Sequence, residues 1–160
     1  MLKITDIFLN LNSVKANKPA VFKIPANSQL NLTVTGSFKE PKTYEYTLPI
    51  LLGGVGSAVN VEGKFFVCGG SHLNLIFTAK DTAKAKAASI NLNLKGLVFD
   101  KSSHIFVKQK ISLSHKDSHL KHSLAFGSLS KEVLNYLDSR GVDSHWLRSY
   151  LEENYVKVNA

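Results

Sequence analysis

Apolar and polar residues alternate along much of the first 115 positions. Residues 29–35, Gln-Leu-Asn-Leu-Thr-Val-Thr, keep a period of two without a break, the pattern of a strand with one face in a core and one in water. Residues 4–11 are more mixed and read as a strand or a short lead-in, and residues 20–25 form another apolar run ending at Pro25. The 44–48 stretch alternates less cleanly and stops before Pro49. Residues 59–62 and 64–68 read as two strands parted at Gly63, and 73–78 follows the Gly69-Gly70 turn. Residues 89–99 carry the longest strand signal, and 104–113 closes the β-rich part. The lysine- and alanine-rich piece at 81–88 has no apolar stripe and reads as a loop. Short strands at roughly even spacing, with no helices between them, leave a sandwich, a barrel or a β-solenoid. Ser89, Asn74, Asn91 and Asn93, set among Leu and Ile, suit stacked solenoid rungs with a narrow core. No strict repeat is visible, so the pattern alone leaves all three open.

The chemistry changes after residue 128. Ser128 and Ser130 can accept from the orphan N–H groups that open a helix. Glu132 lies at the positive end, and Leu129, Val133, Tyr136 and Leu137 recur at helical spacing. Arg140 falls in the last turn and Gly141 follows at the position that favours left-handed backbone. A second helix over 143–155, capped by Asp143 or Ser144, places Trp146, Leu147, Tyr150 and Leu151 on one face. The chain thus divides into a β core at 1–128 and a C-terminal helical element at 129–160.

A length of 160 residues fits one domain with a real core. No window approaches the roughly 18 consecutive apolar residues of a membrane span, and the first residues lack the pattern of a secretory leader. The single cysteine, Cys68, permits no internal disulfide, which fits a reducing compartment, and cytoplasm is the expected location. The formal charge of +8 invites a nucleic-acid reading. Yet only Arg140 and Arg148 are arginine among 20 basic residues, and the lysines are spread from Lys3 to Lys157. Phosphate and base recognition draws on arginine forks, so nucleic acid is disfavoured. A solvated lysine surface that steers towards acidic partners is the simpler reading.

Candidate chemistry is sparse. His115, His119 and His122 lie within eight residues, beside Asp117, and imidazoles ligate iron and zinc. On an extended strand His115, Asp117 and His119 share a face and His122 points away, so a metal site requires a turn. A polar loop or edge strand needs no such condition. Cys68, between Phe66-Val67 and two glycines, reads as a buried small hydrophobe. Gly53-Gly54-Val55-Gly56-Ser57 is followed by no Gly-Lys-Ser/Thr and reads as turn glycines. No catalytic set emerges, and the chain is not read as an enzyme.

His122, Gly127, Tyr136, Leu137, Ser139, Arg140, Gly141 and Val142 together resemble the C-terminal signature of the SufB/SufD family of iron–sulfur cluster assembly proteins. Ser123 after the histidine makes the pattern more SufD-like. Residues 94–99 and 107–114 are similar to the family's rung phrases, and the resemblance covers about 70–156. It implies a right-handed parallel β-helix with a short C-terminal helical hairpin. It also implies a non-catalytic scaffold subunit that pairs through its β-helix with a SufB-like partner or with itself. The helical element, shaped by Leu134, Tyr136, Leu137, Arg140 and Gly141, would dock a SufC-like ABC-type ATPase. His122 would lie at the subunit interface where a cluster is transiently assembled, and the isolated chain would bind no cofactor. Two departures stand out. The chain is shorter than usual members, and 114–122 is compressed. The family's thiol positions fall near Lys110 and at Leu120, where no cysteine is present. A truncated β-solenoid interaction module with no metal role is the alternative.

Overall fold

The computed structural model describes residues 2–14 and 21–156. Ala20, at the start of the second expected strand, and residues 157–160, at the far end of the expected helical element, lie outside the described residues. The strands are β1 (Lys3–Asn10), β2 (Phe22–Ile24), β3 (Ser28–Phe38), β4 (Thr43–Leu52), β5 (Ala58–Val67), β6 (His72–Asp81), β7 (Ser89–Val98), β8 (His104–Ser112) and β9 (His119–Ser128). A 3-10 turn at Leu11–Ser13 follows β1, and α1 (Lys131–Ser139) and α2 (Ser144–Val156) end the described chain.

Odd-numbered strands form one sheet in the order β1-β3-β5-β7-β9, and even-numbered strands form the other, β2-β4-β6-β8. Every pairing is parallel. The chain therefore visits the two sheets in turn and winds a β-solenoid of about four turns. Twisted strands close each such strand–crossover–strand unit with a right-handed turn. The register gives the length of a rung: Gln29 sits on Ala58, Ala58 on Ser89 and Ser89 on His119, steps of 29, 31 and 30 residues.

Alternation explains the layers. Leu32, Val61 and Leu92 stack in one inward column, and Tyr46, Leu75 and Val107 stack in another across the core. Val59, Phe65, Leu73, Leu75 and Leu94 are fully buried between the sheets. On the outside of the odd sheet, Asp6, Asn31, Asn60 and Asn91 form a ladder. Within it Asn60 Nδ2 donates to Asn31 Oδ1 (3.0 Å) and Asn31 Nδ2 to Asp6 Oδ1 (2.8 Å).

Four sequence expectations change. The rung period is real although no residue pattern repeats with it. Residues 59–62 and 64–68 belong to one strand, because Gly63 is an inward position and not a turn. A Cβ there would lie 2.5 Å from Leu94 Cδ2 and 2.8 Å from the Phe65 ring. The strand at 44–48 also runs on through Pro49. β2 pairs only with Ile50–Leu52, so at Pro49 one side of β4 has no ladder to lose a donor from. The loop expected at 81–88 begins at Thr82, because β6 includes Asp81.

Gly63→Ala tests this packing. Filling space already held by Leu94 and Phe65 should destabilise the fold by about 1–3 kcal/mol, read as a lower denaturant midpoint with an unchanged slope. A neutral effect would show that the inward column has slack.

Candidate functional site

Two surfaces stand apart from the packed solenoid. The first is its last rung. Among the described residues the odd sheet has five strands and the even sheet four, so no described strand faces β9 at its own level. Leu120, His122, Leu124 and Phe126 occupy inward positions, on Ile90, Leu92, Leu94 and Gly96. The residues above them are buried, whereas Leu120 and Leu124 are 45% exposed and Phe126 40%. Opposite, the inward Ile105, Val107, Gln109 and Ile111 of β8 are only half-buried. A groove of about 580 Å³ opens where Phe126 and Leu129 face Val98 and Ile105.

His122 stands in the middle of this rung. Its Nδ1 lies 3.0 Å from Gln109 Oε1. A ring that donates from Nδ1 to this oxygen keeps the lone pair on Nε2. The other two histidines go elsewhere. His115 is in the turn after β8, with Nε2 3.1 Å from Ala83 O, and His119 opens β9 on the outward face. No grouping of three or more His, Cys, Asp or Glu able to hold a metal ion exists among the described residues. Iron–sulfur clusters take thiolate ligands. One imidazole and one amide do not make such a set.

The thiol is remote from this rung. Cys68 is fully buried at the end of β5, and burial pushes its pKa up against the opposing pull of Arg148. Lys110 faces outward on β8, and Leu120 faces inward on β9. Neither position that the resemblance associates with a thiol is near Cys68 in sequence.

The second surface is the helical hairpin. Ser130 Oγ accepts from Val133 N (3.2 Å) to start α1, and Gly141 takes φ +76 after its last turn. Asp143 caps α2, its carboxylate accepting from His145 N and Trp146 N. α2 lies along β3 and β5. Glu152 pairs with Lys39 (2.7 Å) and accepts from Ser37 Oγ (2.8 Å). Phe66, an outward residue of β5, is nevertheless fully buried on this side of the sheet. α1 has no comparable packing on either sheet. Leu134 and Leu137 are half-buried, while Val133, Tyr136 and Arg140 are exposed, with the Arg140 guanidinium 5.4 Å from the Tyr136 ring. On α2 the exposed Trp146 and Tyr150 stack at 5.1 Å.

The sequence pattern foresees the helices but closes the β-rich part at 113, so it misses β9 at His119–Ser128 and the open rung, which only the strand pairing reveals. Composition carries a further signal: both arginines, the one tryptophan and Tyr136, Tyr150 and Tyr155 all fall in the hairpin. These residue types carry protein–protein hot spots. No family model matches the chain, and no curated protein is similar to it in sequence.

The burial of Cys68 has a direct readout. At pH 8 Ellman's reagent should leave the native protein unmodified and react fully once guanidinium unfolds it, because only the thiolate attacks. Rapid modification of the folded protein would put the thiol at the surface and reopen a sulfur-transfer role.

Proposed function

We propose that the chain is a SufD-like, non-catalytic subunit of an iron–sulfur cluster assembly scaffold, acting in the cytoplasm. One observation carries this reading: the residues that resemble the family signature fall on the two unpartnered surfaces. His122 is on the open last rung, and Tyr136, Leu137, Arg140 and Gly141 build α1 and its turn. Residues buried in the core would give the same signature a folding role alone. Here most of them face solvent, where a second protein can reach them.

In this reading the last rung pairs with a SufB-like partner or a second copy. A cluster passing through that interface is cargo. His122 Nε2 supplies one ligand, and thiolates come from the partner. The apolar stripe of α1, with Leu134, Tyr136, Leu137 and Arg140, docks an ABC-type ATPase, and Gly141 sets the angle at which α2 leaves it. Nucleotide-driven movement of the ATPase then acts on the rung through the short Leu129-Ser130 connection. A second reading, a β-solenoid interaction module without a metal role, draws support from the absence of any thiol near His122.

Tyr136→Ala/Arg140→Ala tests the docking. Both side chains are exposed, so thermal unfolding should be unchanged while affinity for a SufC-like ATPase falls by about tenfold or more. Undiminished co-purification would remove α1 from the contact. His122→Ala separates the two readings. With a SufB-like partner under anaerobic reconstitution, the scaffold reading expects a clear loss of cluster absorbance, and an equal yield favours the plain interaction module.

A further inference from the structure

The even sheet is one strand short of the odd sheet. We propose that the vacant place beside β8, facing β9, receives an extended segment of another protein as a tenth strand, with apolar side chains turned inward and carboxylates outward. This rests on the reading above only in taking the last rung as a contact surface, and it holds whatever system the partner belongs to.

Three sides of the slot define the occupant. Inside, Ile105, Val107 and Ile111 form one wall, and the exposed Leu120, Leu124 and Phe126 form the other. A strand laid along β8 sends every second side chain between these walls. The polar contact of Gln109 with His122 interrupts them at mid-length. A polar inward residue at that point sets the register, since a slip by one residue turns the apolar set outward. Along the edge, β8 is bonded to β6 alone among the described residues. Its far side presents unpaired N–H and C=O groups, the template for strand addition.

The outward side selects charge. β8 presents His104, Phe106, Lys108 and Lys110, and β6 beside it His72, Asn74, Ile76, Thr78 and Lys80. No carboxylate occupies an outward position on either strand between these residues. Lys108 and Lys110 take no part in the ion pairs found among the described residues, Lys39–Glu152 and Lys42–Glu40. The His72 and His104 rings stack at 5.0 Å, which shows how closely cross-strand neighbours meet on this face. An added strand with Asp or Glu at alternate positions sets them at that range from Lys108 and Lys110, the favourable cross-strand pairing. A second copy of this chain adding through its own β8 brings lysines against lysines. A single-stranded nucleic acid satisfies the charge but neither the amide edge nor the apolar walls.

β8 has nine residues, so a fluorescent nonapeptide is the probe: Glu alternating with Ile or Val, and Ser at the central inward place. Anisotropy with the full chain should show binding. A Lys-for-Glu peptide should bind about tenfold more weakly, and a peptide with a central proline should not bind, having lost its ladder donor. Lys108→Glu/Lys110→Glu, both exposed positions, should invert the preference and keep the native circular dichroism. Equal affinity for the two peptides, or no inversion, overturns the proposal. So does binding of oligothymidylate without the Glu peptide, or a dimer by light scattering that Leu124→Asp dissociates while the peptide stays unbound. ATPase co-purification reads α1 and the peptide reads β8, so either idea can fail while the other stands.

Discussion

Stacking in register is the constraint on which this structure depends. In a parallel solenoid the side chain at each inward position rests on its counterpart in the rung before and is covered by the one after. Leu32, Val61 and Leu92 are buried for that reason, and the column ends at His122, which has a residue above it and, among the described residues, none below. Nothing in the chemistry of Leu124 makes it an exposed residue. Its position does, since the burial of Leu94 one rung earlier in the same column is complete. A solenoid therefore carries its core to both ends, and whatever terminates it must cover apolar surface or leave it for another molecule.

The hairpin is chained to the last rung yet does not cover it. α2 turns back along the side of the odd sheet, where the Glu152–Lys39 pair and the Ser37 hydroxyl anchor it near β3 and β5. Phe66 on β5 is buried on the same side of the sheet, with Phe99 as its ring neighbour. It is a large ring at an outward position, and leaving it in water would forfeit roughly 2–3 kcal/mol of burial. Binding α2 at that site leaves α1 as a short strut between the open rung and the side of the sheet. A nine-residue helix gains little from intrinsic propensity. Its half-buried Leu134 and Leu137, and the exposed ring of Tyr136, are thus the features that a docking protein would complete.

What the sequence revealed follows from the range of each signal. The helices were readable to within a residue or two because capping by Ser130 and Asp143, and the left-handed Gly141, are local chemistry. The β character was readable from alternation, and the rung fragments at 89–98 and 104–112 were found nearly whole. The repeat escaped because inward positions accept any apolar side chain, and corners of unequal length shift the step between 29 and 31 residues. Gly63 misled because a glycine that makes room for Leu94 looks, in sequence, like a glycine that makes a turn. β9 was the least legible strand. Both of its faces are exposed, so burial does not enforce a clean alternation, and three histidines in or near it read equally as ligands or as solvent-facing polar residues. Pairing separates them: His119 outward, His122 inward, His115 in the turn.

The same pairing gives the lysines an order that their spacing hides. Scattered along the chain, they look like general solubility. Placed on the strands, Lys108 and Lys110 lie on the outward face of an edge strand and Lys121 on that of the other edge at this end. Charge there blunts indiscriminate pairing between copies, because each approaching β8 carries the same lysines. Lysine suits this task better than arginine, whose flat, weakly hydrated head is itself a good interface residue, and arginine is found only at Arg140 and Arg148 in the hairpin. A charge that repels a second copy also attracts a strand of opposite sign. On the proposal above, the lysines disfavour pairing of two copies through β8 alone and favour an acidic strand, and the choice between them is made by side chains that never enter the core.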